Sequence, residues 1–343
     1  MENHEGLSEL VRDFCRLYKR AAAEGRGDAL FGADTPEKAA AATESAAIRG
    51  VGKAGFYFEF PFTDRPCMDL LLQYECRELT SPVEFVNGDK YGAQSFFDAC
   101  ARDESLAEYI CGFSFDLSVG NEAPSIYLLP PFEQATVDYV PTMLESLGGA
   151  ERTEQVMNAF AAAPLAWQPY YAGYMSGRPG APTRLGFLVK HAYRQNAASL
   201  CQNIEGYARM AFSADGRELL TRLVAMVGVV DLQFDLYPDG KFGDGLGVTL
   251  DMGFNQTDPR KSAGYLTKGS VGEAMRLIES QGLADSRWRL MDQACFGVQR
   301  LARAGDRLRR VADTVRLNAV KVRFKNGASC LAKGYLLAQT SIL

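Results

Sequence analysis

Basic, tyrosine and carboxylate side chains recur in this chain at alternate positions of short segments whose other positions are apolar. Lys321 and Arg323 are separated by one residue, as are Lys333 and Tyr335. Arg184 and Lys190 stand an even number of positions apart, as do Tyr170 and Tyr174, and Tyr237 follows Asp235 by two. Residues two apart on an extended strand point to one face, so each set would present its polar groups together. Like charges held side by side in a partly dry space repel unless an anion or a nearby carboxylate compensates. Glu59, Asp116 and Asp235 occupy similar alternating segments and are candidates for acid–base work, provided that burial or a neighbour tunes them.

The elements that must position these groups are strands. Five times, two alternating segments flank a tight turn: Phe56–Phe62 with Met68–Glu75, Cys111–Val119 with Ser125–Leu129, Trp167–Ser176 with Thr183–Lys190, Val229–Tyr237 with Leu246–Met252, and Asn318–Phe324 with Ala332–Ala338. The first four turns recur about every 57 to 62 residues, the size of a supersecondary repeat. Connections this short within each pair demand antiparallel pairing. Helical periodicity fills the intervals. Leu7, Leu10, Val11, Phe14, Leu17 and Tyr18 form one apolar stripe, and Asp34-Thr35-Pro36 opens a helix that runs to Ile48. Further helices are expected near 93–109, 132–147, 152–162, 197–212, 217–227, 271–281 and 286–315. The last would carry Arg287, Arg289, Arg300, Arg303, Arg307, Arg309 and Arg310 on a solvated basic face.

The faces of the strands choose among architectures. Phe56, Phe58, Phe60 and Phe62 oppose Tyr57 and Glu59; Val320, Val322 and Phe324 oppose Lys321 and Arg323. Amphipathic helices need an apolar face to cover. A sandwich would need both faces apolar, which disfavours it. An open sheet would leave the polar faces in water, whereas a closed barrel of ten strands would turn them into a lumen wide enough for a ligand. The expected fold is therefore α+β, a ten-stranded antiparallel barrel of five hairpins surrounded by helices. It would form one domain spanning 1–343, with N-terminal helices in 1–50.

Bulk properties narrow the function. The chain has 343 residues, 47% hydrophobic and 23% charged, as expected of a globular protein. Its 37 basic and 42 acidic side chains give a net charge of −5, which argues against a nucleic-acid partner. No apolar run is long enough for a transmembrane helix. The opening residues MENHEGLSELVRDF lack the basic and apolar regions of a signal peptide, so a cytoplasmic location is expected. The eight cysteines include no Cys-x-x-Cys, and the two histidines are His4 and His191, a poor basis for a zinc site. The stretch from Tyr237 to Gly247 contains several glycines but fits neither a P-loop nor a dinucleotide fingerprint, and its Asp-Gly reads as a hairpin turn.

Helix pairs between successive hairpins, repeated to give ten antiparallel strands, resemble the ABBA or PT-barrel fold of the soluble aromatic prenyltransferases, which include phenol, indole and cyanobactin-type peptide enzymes. The resemblance covers nearly the whole chain in architecture and rests on no short signature. The chain also lacks the DDxxD run of terpene synthases. The resemblance implies an allylic diphosphate held in the lumen by Arg184, Lys190, Lys321, Arg323, Lys333, Tyr170, Tyr174, Tyr237 and Tyr335. A diphosphate carries about three negative charges and needs fixed cations and hydroxyl donors. Aromatic rings would shield the allyl cation. Glu59 is the best match to the family's proton acceptor, with Asp116 and Asp235 as alternatives. The implied partners are an allylic diphosphate and an aromatic or peptide acceptor, with neither nucleic acid nor membrane. Mg2+ is the one cofactor to test, and no organic cofactor is expected. The alternative is a non-catalytic peptide-binding or scaffold module of a biosynthetic pathway.

Overall fold

A computed structural model describes residues 9–25, 27–45, 55–62, 66–76, 93–117, 124–131, 136–175, 177–178, 180–254, 258, 260, 262–304 and 307–343. Leu7, Ile48, Ser118, Val119, Phe132 and Ser176, which figure in the sequence reading, lie outside these residues. The strands are β1 (Gly55–Pro61), β2 (Asp69–Glu75), β3 (Ile110–Phe115), β4 (Ser125–Leu129), β5 (Trp167–Tyr174), β6 (Thr183–Val189), β7 (Val229–Leu236), β8 (Phe242–Leu250), β9 (Phe296–Ala304), β10 (Arg307–Lys325) and β11 (Ala328–Ile342). The helices are α1 (Glu9–Gly25), α2 (Asp28–Phe31), α3 (Thr35–Ser45), α4 (Ala93–Arg102), α5 (Val140–Ser146), α6 (Thr153–Ala161), α7 (Ala197–Ala208), α8 (Ala214–Met226) and α9 (Gly269–Ser280).

Each strand from β1 to β7 pairs with the next, β8 pairs with β10, β10 with β11, and β11 returns to β1. All these pairings are antiparallel, from Phe56 opposite Ala338 at the closing seam to Lys321 opposite Thr249 on the far side. Ten strands thus close a barrel. β1, β3, β5, β7 and β10 end at one rim, the hairpin rim, and β2, β4, β6 and β8 end at the other, the helical rim. Among the described residues, no helix is long and apolar enough to cross a membrane.

The outward faces form the core. Phe56, Phe58, Phe60 and Phe62 are each at most 1% exposed. Phe14 of α1 meets Phe56 and Phe58 edge-on at 5.8 Å, and Phe31 of α2 meets Phe58 and Phe60 in the same manner. Each such ring contributes roughly 1.5–3 kcal/mol on burial, which is why amphipathic helices coat the wall. Val320, Val322 and Phe324 are buried in the same way on β10.

The expected helix over 286–315 is replaced by a short 3-10 turn (Ser286–Leu290), β9 and the first half of β10. Residues 307–315 of β10 pair with β9, whereas 321–325 pair with β8, so β9 continues the wall beyond β8. Leu, Ala, Arg and Gln between 299 and 304 favour helix locally, but the pairing edge of β10 overrides that preference. The period-two burial of Val311, Asp313, Val315 and Leu317 is a strand signature. Asp313 accepts from Arg300 of β9 and from Arg16 of α1, which fastens this extension to the N-terminal helix. Arg309 and Arg310 are exposed on a strand rather than on a helix.

Candidate functional site: a polar lumen

The inward faces enclose a cavity of about 440 Å³. Space for it is made by glycine. A Cβ on Gly173 of β5 would overlap the ring of Tyr127, and one on Gly186 of β6 would overlap that of Tyr171. The two rings therefore lie against bare backbone, edge to face at 6.0 Å.

Among the described residues, six cations reach the cavity: Arg178, Arg184, Arg194, Lys321, Arg323 and Lys333. Four already have carboxylate partners. Arg184 holds Asp235 through two hydrogen bonds of 2.8 and 3.0 Å across the β6–β7 pairing. Arg178, in the turn after β5, holds Asp116 with two bonds of 3.1 Å. Arg194 reaches Asp251 at 3.0 Å. Lys333 donates to Glu59 at 2.6 Å and lies 3.3 Å from Asp69, because the register sets Glu59 opposite both Tyr335 and Asp69.

These pairs set the protonation states. Burial alone would raise Glu59, but the Lys333 and Lys321 charges, with hydrogen bonds from Lys333 and Tyr335, hold it at about 2. Burial works against the Lys333 ammonium, yet Glu59 and Asp69 raise its pKa. Asp235 is lowered because Arg184 outweighs its burial. Burial raises the Tyr335 hydroxyl well above its ordinary range, and the Glu59 charge adds to this.

Three charged groups stand apart. Among the described residues, no ion pair reaches Lys321, Arg323 or Asp231. Lys321 is 7% exposed, with its ammonium 4.8 Å from the centre of the Tyr335 ring. Burial pulls its pKa down to about 8, although Asp231 and Glu59 support the charge. Asp231 accepts from the Thr249 hydroxyl. Enclosure raises its pKa, with Lys321, Thr249, Gln233 and Arg184 opposing.

The lumen brings together most of the residues singled out in the sequence. Glu59, Asp116, Arg184, Lys321, Arg323, Lys333, Tyr170 and Tyr335 line the cavity, and Asp235 is bonded to the lining residue Arg184. Three others lie elsewhere. Tyr174 packs outward in the helical core, with Arg152 5.2 Å from its ring centre. The cause is a bulge: Pro169 pairs with Phe187 and Tyr171 with Gly186, so Tyr170 is an extra residue that reverses the parity of the strand. Lys190 follows the end of β6 and is exposed, and Tyr237 follows the end of β7 and is 37% exposed. Both continue the inward parity past the point where the wall ends. Tyr127, Tyr171, Arg178 and Asp231 are additional cavity residues. Asp231 shares the face of Asp235, and Tyr127 sits between the inward positions 125 and 129. Both could have been read from alternation; Tyr171 is hidden by the bulge.

No protein-family model and no curated protein matches the sequence. Among solved structures, the chain is similar to the apo form of prenyltransferase PriB, at 12% identity over 96% of each chain with a TM-score of 0.51. The PriB ternary complex with L-tryptophan and dimethylallyl thiolodiphosphate matches with the same identity, coverage and score. AnaPT from Neosartorya fischeri is matched at 9% identity over 97% of this chain and 94% of that one, with a TM-score of 0.49. The closed ten-stranded antiparallel barrel wrapped in helices is the ABBA, or PT-barrel, fold, which this chain shares with prenyltransferase PriB.

Proposed function

We propose that the chain is a prenyltransferase that moves an isoprenoid from an allylic diphosphate to an aromatic acceptor inside the barrel. The observation that carries this reading is the pair of adjacent lumen cations, Lys321 and Arg323, without an ion-paired carboxylate among the described residues. Removing Lys321 from water costs free energy that a bound anion would return. A diphosphate at this place would accept from both cations, and the same donors would stabilise the charge on the departing group. Tyr127, Tyr171 and Tyr335 supply the ring faces that would shield an allyl cation from water. PriB forms a ternary complex with L-tryptophan and dimethylallyl thiolodiphosphate, which supports an aromatic acceptor here. The test is to incubate the protein with dimethylallyl or geranyl diphosphate and aromatic acceptors, including tryptophan and aromatic peptides, with and without Mg2+. Mass spectrometry should show an acceptor heavier by one isoprenoid unit. No product from any combination would contradict the reading.

One observation favours a second reading. Four of the six lumen cations are already neutralised by carboxylates. A balanced lumen suits a neutral or zwitterionic ligand, such as a peptide segment held without chemistry. Peptide binding with no diphosphate affinity would select this reading.

A further inference from the structure

We infer that Asp231 is the lumen base that takes the proton released by the aromatic acceptor, an assignment that rests on the prenyl-transfer reading. The geometry eliminates its competitors. Glu59 is tied to Lys333, Asp116 to Arg178 by two hydrogen bonds, Asp235 to Arg184 by two more, and Asp251 to Arg194. Each would have to give up a cation to accept a proton. Asp231 lines the cavity with a hydroxyl donor and no ion pair among the described residues.

Its position suits the role. On β7, Asp235 lies toward the hairpin rim and Asp231 toward the helical rim. The cross-strand register runs from Asp231 to Thr249 of β8 and on to Lys321 of β10. The base thus stands two strands from the unpaired cations. An acceptor ring placed between them meets the allylic carbon on one side and the carboxylate on the other. The groups that act on Asp231 come from all sides: Thr249 of β8, Gln233 of β7, Lys321 of β10 and Arg184 of β6, with Tyr170 and Tyr171 of β5 nearby. Enclosure raises its pKa and so makes it a better proton acceptor than a solvated carboxylate.

The step balances without a further reagent. The allylic C–O bond breaks and its electron pair leaves with the diphosphate. A ring atom of the acceptor gives two electrons to the allylic carbon and forms the new bond. That ring atom then loses its proton to an Asp231 oxygen, and the C–H pair restores aromaticity. Asp231 later returns the proton to water.

The experiment measures kcat against pH and calorimetric affinity for dimethylallyl diphosphate in the parent, Asp231→Asn and Thr249→Val. The parent should show a limb on which kcat rises as Asp231 ionises. Asp231→Asn should lose about 100-fold or more in kcat and the limb with it, while dimethylallyl diphosphate still binds saturably. Thr249→Val removes a hydrogen bond that favours the ionised form, so the limb should move to higher pH. A purely structural role would lower the melting temperature without moving the limb. Should Asp231→Asn fail to fold, the Thr249→Val shift decides, and an unmoved limb overturns the assignment. A parent-like rate in Asp231→Asn overturns it as well and leaves prenyl transfer standing. A parent that binds no allylic diphosphate overturns both.

Discussion

Lys321 and Arg323 carry the anion-binding claim, and they differ in a way that can be measured. The Lys321 pKa of about 8 means that its charge is present below pH 8 and fades above it. Diphosphate affinity should therefore fall as pH rises through about 8. In Lys321→Arg the fall should vanish, because a guanidinium keeps its charge. Calorimetry across pH 6.5 to 9.5 checks this, and an unchanged slope in the variant would contradict it. Arg323→Ala should leave the fold intact and weaken diphosphate binding by about tenfold or more, the loss of one charge-assisted contact. Arg309→Ala, at an exposed position of β10, should change neither affinity nor melting temperature. The Glu59–Lys333 pair reports through stability. Glu59 sits at about 2 when folded, below the ordinary carboxylate value of 4.5. Its contribution is complete above the unfolded pKa and is lost as pH falls from there toward 2. Glu59→Gln should lower stability at neutral pH by about 1.5–3 kcal/mol and flatten the acid limb of a denaturation series. The residue types at the site were legible in the sequence; their partners were not. Arg184 faces Asp235 only because of the β6–β7 register, and Lys333 meets Glu59 and Asp69 only after β11 closes on β1.

At the scale of elements, the inward glycines and one bulge decide the shape of the lumen. Gly186→Ala would drive a methyl group into the Tyr171 ring. Overpacking of this kind costs about 1–3 kcal/mol. The variant should melt lower and bind diphosphate more weakly as the ring swings into the cavity. An unchanged melting temperature would show that the ring has room to move. The β1–β8 and β10–β11 hairpins were legible because alternation and turn residues agreed. The bulge at Tyr170 was not, since one extra residue leaves no mark in composition yet sends Tyr174 into the helical core. β9 was missed for another reason. Its helix-favouring residues gain strand partners only once β10 is in place. Gly305-Asp306, a dipeptide suited to two-residue turns, and the alternation of Val311, Val315 and Leu317 were the available signals.

At the scale of the whole molecule, barrel closure gives the lumen two unlike ends. The hairpin rim gathers Arg178 and Arg184 with their acids, together with Arg323, and the helical rim holds Asp231. An open sheet would put these groups in bulk water, where their charges would be screened and their protonation ordinary. The most direct measurement is titration calorimetry of the intact protein with dimethylallyl and geranyl diphosphates, with and without Mg2+. Saturable binding of at least one of them is expected, weakened in Arg323→Ala and absent when Lys321 is also replaced by Met. No binding by the parent, or equal affinity in the parent and both variants, would contradict the account.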